Sequence, residues 1–286
     1  RWGVTPGAVV GHSMGEVAAD WCAGALDLRS AVQVIYHRAN AMKGTLGGGR
    51  MMVVGASAEE LQPMLGPSLE ISVVNSHVSC VVSGEAGAVA ALEQRLGEAG
   101  RFTFLMPAPY AFHSWQMEPC LADIQASLAD IEPDAAKIPW ISSSAANLQG
   151  ECADAAYWVR NARGVVRFDR AIERLLEDGA RLFVELGPHA VLAQSIQQLA
   201  VRAGKAARVF SALQREGDGS TELAAILAGL YENGVAPDWK AYQGDAGFVE
   251  LPTYPWQREA YWFQATQGVP ARAQALHARV QDRKST

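Results

Sequence analysis

The stretch Ala8-Val9-Val10-Gly11-His12-Ser13-Met14-Gly15-Glu16 decides how this chain folds. Its first three residues are apolar and partly β-branched, which is typical of the end of a buried strand. Gly11 and Gly15 each stand two residues from Ser13, and this G-x-S-x-G spacing suits a sharp turn from a strand into a helix, where side chains would clash. From Glu16 onward, apolar residues recur at helical spacing. The pattern predicts a serine at a helix N-terminus, where free backbone N–H groups favour a developing negative charge.

The composition is that of an ordinary globular chain of 286 residues, 49% hydrophobic, with a formal net charge of −6. An acidic balance gives no support for nucleic-acid binding, which requires a basic face. No apolar run is long enough to cross a bilayer, and no signal peptide opens the sequence. The four cysteines are scattered without a C-x-x-C pair, which indicates reduced thiols rather than disulfides or metal ligands. We therefore expect a cytoplasmic protein with no metal site and no nucleic-acid or membrane partner.

The rest of the sequence predicts an α/β fold with a parallel-sheet, hydrolase-like core and an inserted small subdomain. Between Met51 and Met106, strand and helix patterns follow the order βαββαβ, which is the ferredoxin-like arrangement. No strand pattern precedes the nucleophile strand, so we expect the N-terminal part of the core to be missing from this sequence. The expected regions are a large subdomain at 1–48 and 107–209, a ferredoxin-like subdomain at 49–106, a linker at 210–262 and a disordered tail at 263–286.

A second helix is predicted from Leu28, with Val32, Ile35 and Tyr36 along one apolar face. Arg38 lies on the same helix, 25 residues beyond Ser13. An arginine on a helix is more often solvated than functional, and an isolated histidine such as His113 is more often structural. An activated serine nevertheless needs a base, and imidazole titrates in the useful range.

Three motifs resemble those of one enzyme family. Gly11-His12-Ser13-Met14-Gly15-Glu16 resembles the nucleophile motif of the malonyl-CoA:acyl-carrier-protein transacylase family, and more closely that of the acyltransferase domain of a polyketide synthase. Tyr110-Ala111-Phe112-His113 resembles a tetrad of the same domain, and Tyr254-Pro255-Trp256-Gln257-Arg258 resembles the linker that follows it in a multidomain synthase. The resemblance covers roughly residues 1–262.

The resemblance implies a role for five residues. Ser13 would be the nucleophile and His113 its base. Arg38 would grip the free carboxylate of a malonyl group, since a guanidinium offers two parallel N–H donors. The N–H of Met14 would supply half of an oxyanion hole. A main-chain carbonyl in the loop around Arg167 would orient His113.

Tyr110 and Phe112 bear on the choice of extender unit. Within the resembled family, the tetrad His-Ala-Phe-His accompanies malonyl selection and Tyr-Ala-Ser-His accompanies methylmalonyl selection. This chain combines the tyrosine of one with the phenylalanine of the other. Because a phenyl ring at Phe112 would crowd a methyl branch, the sequence favours malonyl-CoA and leaves methylmalonyl-CoA open.

The resemblance therefore implies an acyltransferase of class EC 2.3.1 without a bound cofactor. It would take an acyl group from a CoA thioester as a serine ester and pass it to the phosphopantetheine of an acyl carrier protein. Neighbouring synthase domains, on the ketosynthase side and downstream, would be further partners. Two alternatives remain: a serine thioesterase of α/β-hydrolase type, whose histidine comes late in the chain after an acid, and an inactive fragment that docks a carrier protein.

Overall fold

The computed structural model describes residues 2–144, 152–244, 247, 249–259 and 261. The chain divides into two compact units, Arg1–Tyr242 and Gln243–Thr286. The larger unit carries every candidate site residue and includes the first part of the predicted linker. The predicted tail at 263–286 lies outside the described residues. The domain boundaries expected from the sequence stay predictions.

The described residues form nine strands and ten α-helices. The strands are β1 (Val9–Val10), β2 (Arg50–Val54), β3 (Leu69–Ser76), β4 (Ser79–Gly84), β5 (Thr103–Leu105), β6 (Trp140–Ile141), β7 (Val166–Arg167), β8 (Leu182–Glu185) and β9 (Arg208–Ser211). The helices are α1 (Gly15–Ala23), α2 (Leu28–Met42), α3 (Ala58–Leu61), α4 (Ala86–Glu98), α5 (Glu118–Ser127), α6 (Ala155–Arg163), α7 (Phe168–Glu177), α8 (Ala193–Arg202), α9 (Gly219–Glu232) and α10 (Trp239–Gln243). None of the helices in the described part of the chain has the length and apolar character that crossing a membrane requires.

The strands form one five-stranded sheet and two parallel pairs, β1 with β6 and β8 with β9. The large sheet has the order β5-β2-β4-β3-β7, antiparallel except where β7 joins β3 in parallel. The α/β class predicted from the sequence is confirmed. Strands β2 to β5 follow the predicted βαββαβ order, but the sheet continues into β7, outside the range 49–106. The separate ferredoxin-like subdomain stays a prediction.

Local sequence explains where the helices near the site begin and end. Asp27 caps α2 by accepting the backbone N–H of Ser30 at 2.6 Å, and Asp154 caps α6 by accepting that of Tyr157 at 2.8 Å. Helix α1 ends at Gly24, which adopts the left-handed conformation (φ +81°) that glycine reaches without strain. These caps fix the ends of the helices that surround Ser13.

Two clusters of buried side chains meet beside the site. The first packs α1, α2, α5 and α6 against β6, and includes Val17, Val34, Ile124 and Trp158. The second packs the large sheet against α7 and α8, and includes Val73, Val166, Ile172 and Leu199. Phe112 packs against both clusters, which places the predicted tetrad where they join.

Candidate active site

Ser13 lies in the turn that leads from β1 into α1. Its φ of +55° falls in the left-handed region, which a residue with a side chain rarely adopts and which is common at functional sites. Gly11 is required by space, because a Cβ atom there would lie 2.2 Å from the backbone of Glu16. Gly15 is not, since a Cβ atom there would meet nothing within 4 Å. The clash predicted for both glycines is therefore found only at Gly11.

His113 meets Ser13 across 100 residues of sequence. The hydroxyl Oγ of Ser13 donates to Nε2 of His113 at 2.6 Å. On the other side of the ring, Nδ1 donates to the carbonyl oxygen of Gly164 at 2.9 Å, which fixes the tautomer that leaves Nε2 free to accept. His113 is 2% exposed. Burial, and after it the positive charge of Arg38, lowers the pKa of His113 to about 3, so the imidazole is neutral at physiological pH.

The carbonyl that orients His113 belongs to Gly164, and the prediction of Arg167 is wrong. Gly164 follows the last residue of α6, where main-chain carbonyls lack partners within the helix. Arg167 lies three residues later in β7, with its N–H donating to the carbonyl of Ser143 at 2.5 Å. Its guanidinium pairs with Asp169 at 2.7 Å. The main chain of Arg167 is thus part of the sheet, where it pairs with Val74 of β3.

Arg38 lies on the inner face of α2 and is 2% exposed. Its Nη1 donates to Oδ1 of Asn161, and Nδ2 of Asn161 in turn lies 3.4 Å from the carbonyl of Ser13. Its Nε has no hydrogen-bond partner among the described residues, and no described carboxylate forms an ion pair with it. Burial lowers the pKa of Arg38 to about 10, which still leaves it charged at neutral pH. A buried cation without a counter-ion is costly, and an anionic ligand would offset that cost.

The remaining predicted residues lie close by. Met14 is the N-cap residue of α1 and packs against the first core cluster, as does Phe112. The rings of Tyr110 and Phe112 stack with centroids 4.8 Å apart and an angle of 14° between their planes. Within the described residues, no group of three or more histidine, cysteine or acidic side chains is placed to hold a metal ion.

Three residues at the site carry no role in the sequence prediction: Gly164, Asn161 and Glu16. Asn161 belongs to the Trp-Val-Arg-Asn string at 158–161. Its apolar neighbours on α6 indicate that the helix is buried, but they do not indicate that Asn161 contacts Arg38. Glu16 ends the nucleophile motif and is fully buried. Gly164 offered no signal, because a main-chain carbonyl is present at every residue.

The arrangement suits nucleophilic acyl transfer. A serine hydroxyl at a helix N-terminus donates to a neutral imidazole with a fixed tautomer, which is the geometry of an activated nucleophile. A buried guanidinium is connected to the same serine through Asn161. An acyl group that carries its own carboxylate matches both features.

Three comparisons with known proteins point to the same family. Residues 1–237 match the acyl transferase domain family. Polyketide synthase GfsB of Streptomyces halstedii is 39% identical over 279 residues, which cover 96% of this chain and 5% of that protein. The acyltransferase domain from module 8 of the salinomycin polyketide synthase superposes with a TM-score of 0.80 and 35% identity, over 83% of this chain and 57% of that one.

A second solved structure, the malonyl CoA-acyl carrier protein transacylase from Coxiella burnetii, has a TM-score of 0.69 and 25% identity, over 79% of this chain and 72% of that one. The chain therefore spans most of a transacylase but only a small part of a polyketide synthase. Since the family match extends over residues 1–237, the chain belongs to the acyl transferase domain family, and its relatives include polyketide synthases.

Proposed function

We propose that this chain transfers a malonyl-type acyl group from a CoA thioester to the phosphopantetheine of an acyl carrier protein in polyketide biosynthesis. One observation carries the proposal: a buried guanidinium, without a counter-ion among the described residues, is linked through Asn161 to a serine whose hydroxyl donates to a neutral imidazole. The names of the relatives support it, since they include polyketide synthases and a malonyl CoA-acyl carrier protein transacylase.

In the first half-reaction, Nε2 of His113 takes the proton of Ser13 while Oγ attacks the thioester carbonyl. The tetrahedral intermediate then expels the CoA thiolate, which takes the proton from His113 and leaves an acyl ester on Ser13. The carbonyl of Gly164 holds the ring through Nδ1 but supplies no charge to stabilise an imidazolium. The proton is therefore passed on readily to the leaving thiolate.

In the second half-reaction, the phosphopantetheine thiol of the carrier protein gives its proton to His113 and attacks the ester. Ser13 leaves and recovers the proton, and the acyl group departs as a new thioester. The N–H of Met14, at the start of α1, is the proposed donor to the oxyanion in both halves.

Arg38 has two proposed effects on a malonyl substrate. Its guanidinium binds the free carboxylate, which anchors the acyl group beside Ser13. Its charge is also one cause of the low pKa of His113. A bound carboxylate offsets that charge and raises the pKa of His113, so the base becomes stronger when the substrate carries a carboxylate.

Tyr110 and Phe112 are the proposed selectors of the extender unit. Because Tyr110 stacks on Phe112 and both core clusters contact Phe112, the phenyl ring has little freedom to move away from a methyl branch. We propose malonyl-CoA as the preferred substrate over methylmalonyl-CoA. The further partners proposed are the neighbouring domains of a multidomain synthase, and the proposed location is the cytoplasm, where the free thiols of the described cysteines stay reduced.

The test is to incubate the chain with isotopically labelled malonyl-CoA and to follow the label on the protein, on added carrier protein and in solution. We expect label on the wild-type protein, transfer to the carrier protein, and no label on the Ser13→Ala variant. Ser127→Ala, at an exposed position of α5, is the matched control. Label on Ser13→Ala would contradict the nucleophile. Release as free malonate in place of transfer would indicate a thioesterase, and no label on the wild type would indicate a docking fragment.

A further inference from the structure

Glu16, the last residue of the nucleophile motif, is fully buried and lies among neutral polar groups. Its Oε1 accepts the backbone N–H of Ser143 at 2.6 Å. Its Oε2 accepts the indole N–H of Trp140 at 3.1 Å and the hydroxyl of Tyr157 at 2.8 Å. The carboxyl is therefore well supplied with hydrogen bonds, but no basic side chain of the described residues pairs with it directly.

The proton count around Ser143 favours the neutral form of this carboxyl. The single hydroxyl proton of Ser143 lies between two oxygens, since Oγ is 2.7 Å from the carbonyl of Gly11 and 2.7 Å from Oε1 of Glu16. A carbonyl oxygen has no proton to give, so Ser143 must either share its one proton between the two oxygens or receive a second proton from Glu16, and only the second arrangement gives two full hydrogen bonds. In that state Glu16 donates to Ser143, and Ser143 donates to Gly11.

Ser143 connects the two segments that carry the reacting side chains. Through Oγ it holds the carbonyl of Gly11, two residues before Ser13. Through its own carbonyl it accepts the N–H of Arg167, three residues after Gly164, whose carbonyl orients His113. Glu16 forms hydrogen bonds with both the backbone N–H and the hydroxyl of Ser143. The position of this one carboxyl therefore affects the segments that hold Ser13 and His113.

We propose that the protonated carboxyl of Glu16 is a positioning residue for the Ser13–His113 pair, acting through Ser143. The proposal rests on the proposed acyl transfer, in which that pair performs the chemistry. When Glu16 ionises, Ser143 turns its hydroxyl proton to the carboxylate and the carbonyl of Gly11 loses its donor. The left-handed turn at Ser13 then loses one of its supports.

The charged and titratable groups that face Glu16 come from three helices. On α1, Asp20 lies one turn further along, and burial raises its pKa to about 7. On α6, the hydroxyl of Tyr157 donates to Glu16, and burial raises the pKa of Tyr157. On α2, Arg38 contributes its positive charge. Burial raises the pKa of Glu16 itself to about 7, whereas that of His113 is about 3. A change in site reactivity between pH 6 and pH 9 is therefore not the titration of His113, and the Glu16 and Asp20 variants show which carboxyl causes it.

The test measures the rate at which a fluorophosphonate probe labels Ser13 in the full chain from pH 6 to pH 9. This reaction needs the Ser13–His113 pair but no malonyl group, so a failure of acyl transfer leaves the result interpretable. We expect the wild-type rate to fall about fivefold over this range, the effect of one hydrogen bond. In Glu16→Gln we expect a flat profile. Asp20→Asn is the matched control and should fall as the wild type does.

A decline in Glu16→Gln like that of the wild type, or a flat profile in Asp20→Asn, would overturn the proposal. Ser143→Ala should label more slowly than the wild type at pH 6 and lose the pH dependence, and a wild-type profile in this variant would also overturn it. If Glu16→Gln does not fold, infrared spectroscopy of Asp20→Asn decides. A neutral-carboxyl band at pH 6 that disappears by pH 9 supports the proposal, and its absence at pH 6 contradicts it.

Discussion

Arg38 is buried, although an arginine on a helix with this spacing is more often exposed to solvent. The apolar residues Val32, Ile35 and Tyr36 are 55%, 45% and 62% exposed, so the face of α2 that they share lies at the surface. The inner face carries Ala31, Val34, Arg38 and Met42 instead. Burying the guanidinium of Arg38 among these residues costs desolvation free energy, which an anionic group of the substrate would offset. Substitution of Arg38 is therefore the most direct test of substrate class.

At this scale we predict that Arg38→Ala lowers malonyl loading about 10- to 100-fold, because a charge-assisted pair with the substrate carboxylate is lost. Loading from acetyl-CoA, which has no carboxylate, should change far less. The measurement is competitive loading from equal amounts of the two thioesters, read by mass spectrometry of the acylated protein. Arg29→Ala, at an exposed position of the same helix, should keep the wild-type ratio. An unchanged ratio in Arg38→Ala would remove its proposed role.

Between elements, an ion pair joins β3 to α6 beside the orienting carbonyl. Arg163 donates two hydrogen bonds to Glu70, at 3.0 and 3.1 Å, and a third to Glu118 at 3.1 Å. Glu70 also accepts the N–H of Trp115 at 3.2 Å. Arg163 precedes Gly164, and Trp115 lies two residues after His113. One carboxylate therefore ties together the segments on both sides of the His113–Gly164 hydrogen bond.

We predict that Glu70→Gln reduces the acylation rate about three- to tenfold while the free energy of unfolding falls by less than about 1 kcal/mol. The reason is that partly exposed ion pairs add little to stability, whereas the orientation of His113 depends on both segments. Stopped-flow acylation and urea denaturation measure the two quantities. Glu60→Gln breaks the exposed pair with Arg101, remote in sequence from these segments, and should leave the rate unchanged. Equal losses in the two variants would contradict the prediction.

For the molecule as a whole, the protonation of Asp20 makes the free energy of unfolding depend on pH. It is fully buried, and neither carboxyl oxygen has a hydrogen-bond partner among the described residues. Burial raises its pKa to about 7 from the ordinary value of 3.8. The folded state thus holds this proton where the unfolded state has lost it. The contribution of Asp20 to stability is complete below about pH 4 and is lost as the pH rises to about 7.

We predict that the gain in free energy of unfolding from Asp20→Asn is larger at pH 8 than at pH 5 by about 2 to 3 kcal/mol, because the wild type loses that much as the pH rises to the raised pKa of Asp20 in the folded state. Urea denaturation at the two pH values measures the difference. Asp123→Asn, at an exposed position of α5, should show no such change between them. A variant that gained nothing on going from pH 5 to pH 8 would show that the buried carboxylate is not the cause.

The sequence predicted those features of the molecule that depend on local pattern. The turn at Ser13, the order of strands β2 to β5 and the pairing of Ser13 with His113 follow from spacing, alternation and resemblance. The inner face of α2 did not follow, because its apolar residues lie on both sides and tertiary packing decides which side is buried. The role of the Gly164 carbonyl and the partners of Glu16 could not be predicted either. Their hydrogen bonds join residues more than 50 positions apart, and such contacts produce no periodic pattern in the sequence.

The use of the Gly164 carbonyl where many serine enzymes place an acid has a consequence for the reaction cycle. An aspartate in that position would be a resident anion within the field of Arg38 and would compete with the incoming acyl group for the same positive charge. With a neutral carbonyl instead, the pocket keeps its attraction for a carboxylate until the substrate arrives. The weaker support for the imidazole thus leaves the charge of Arg38 available to a carboxylate carried by the substrate.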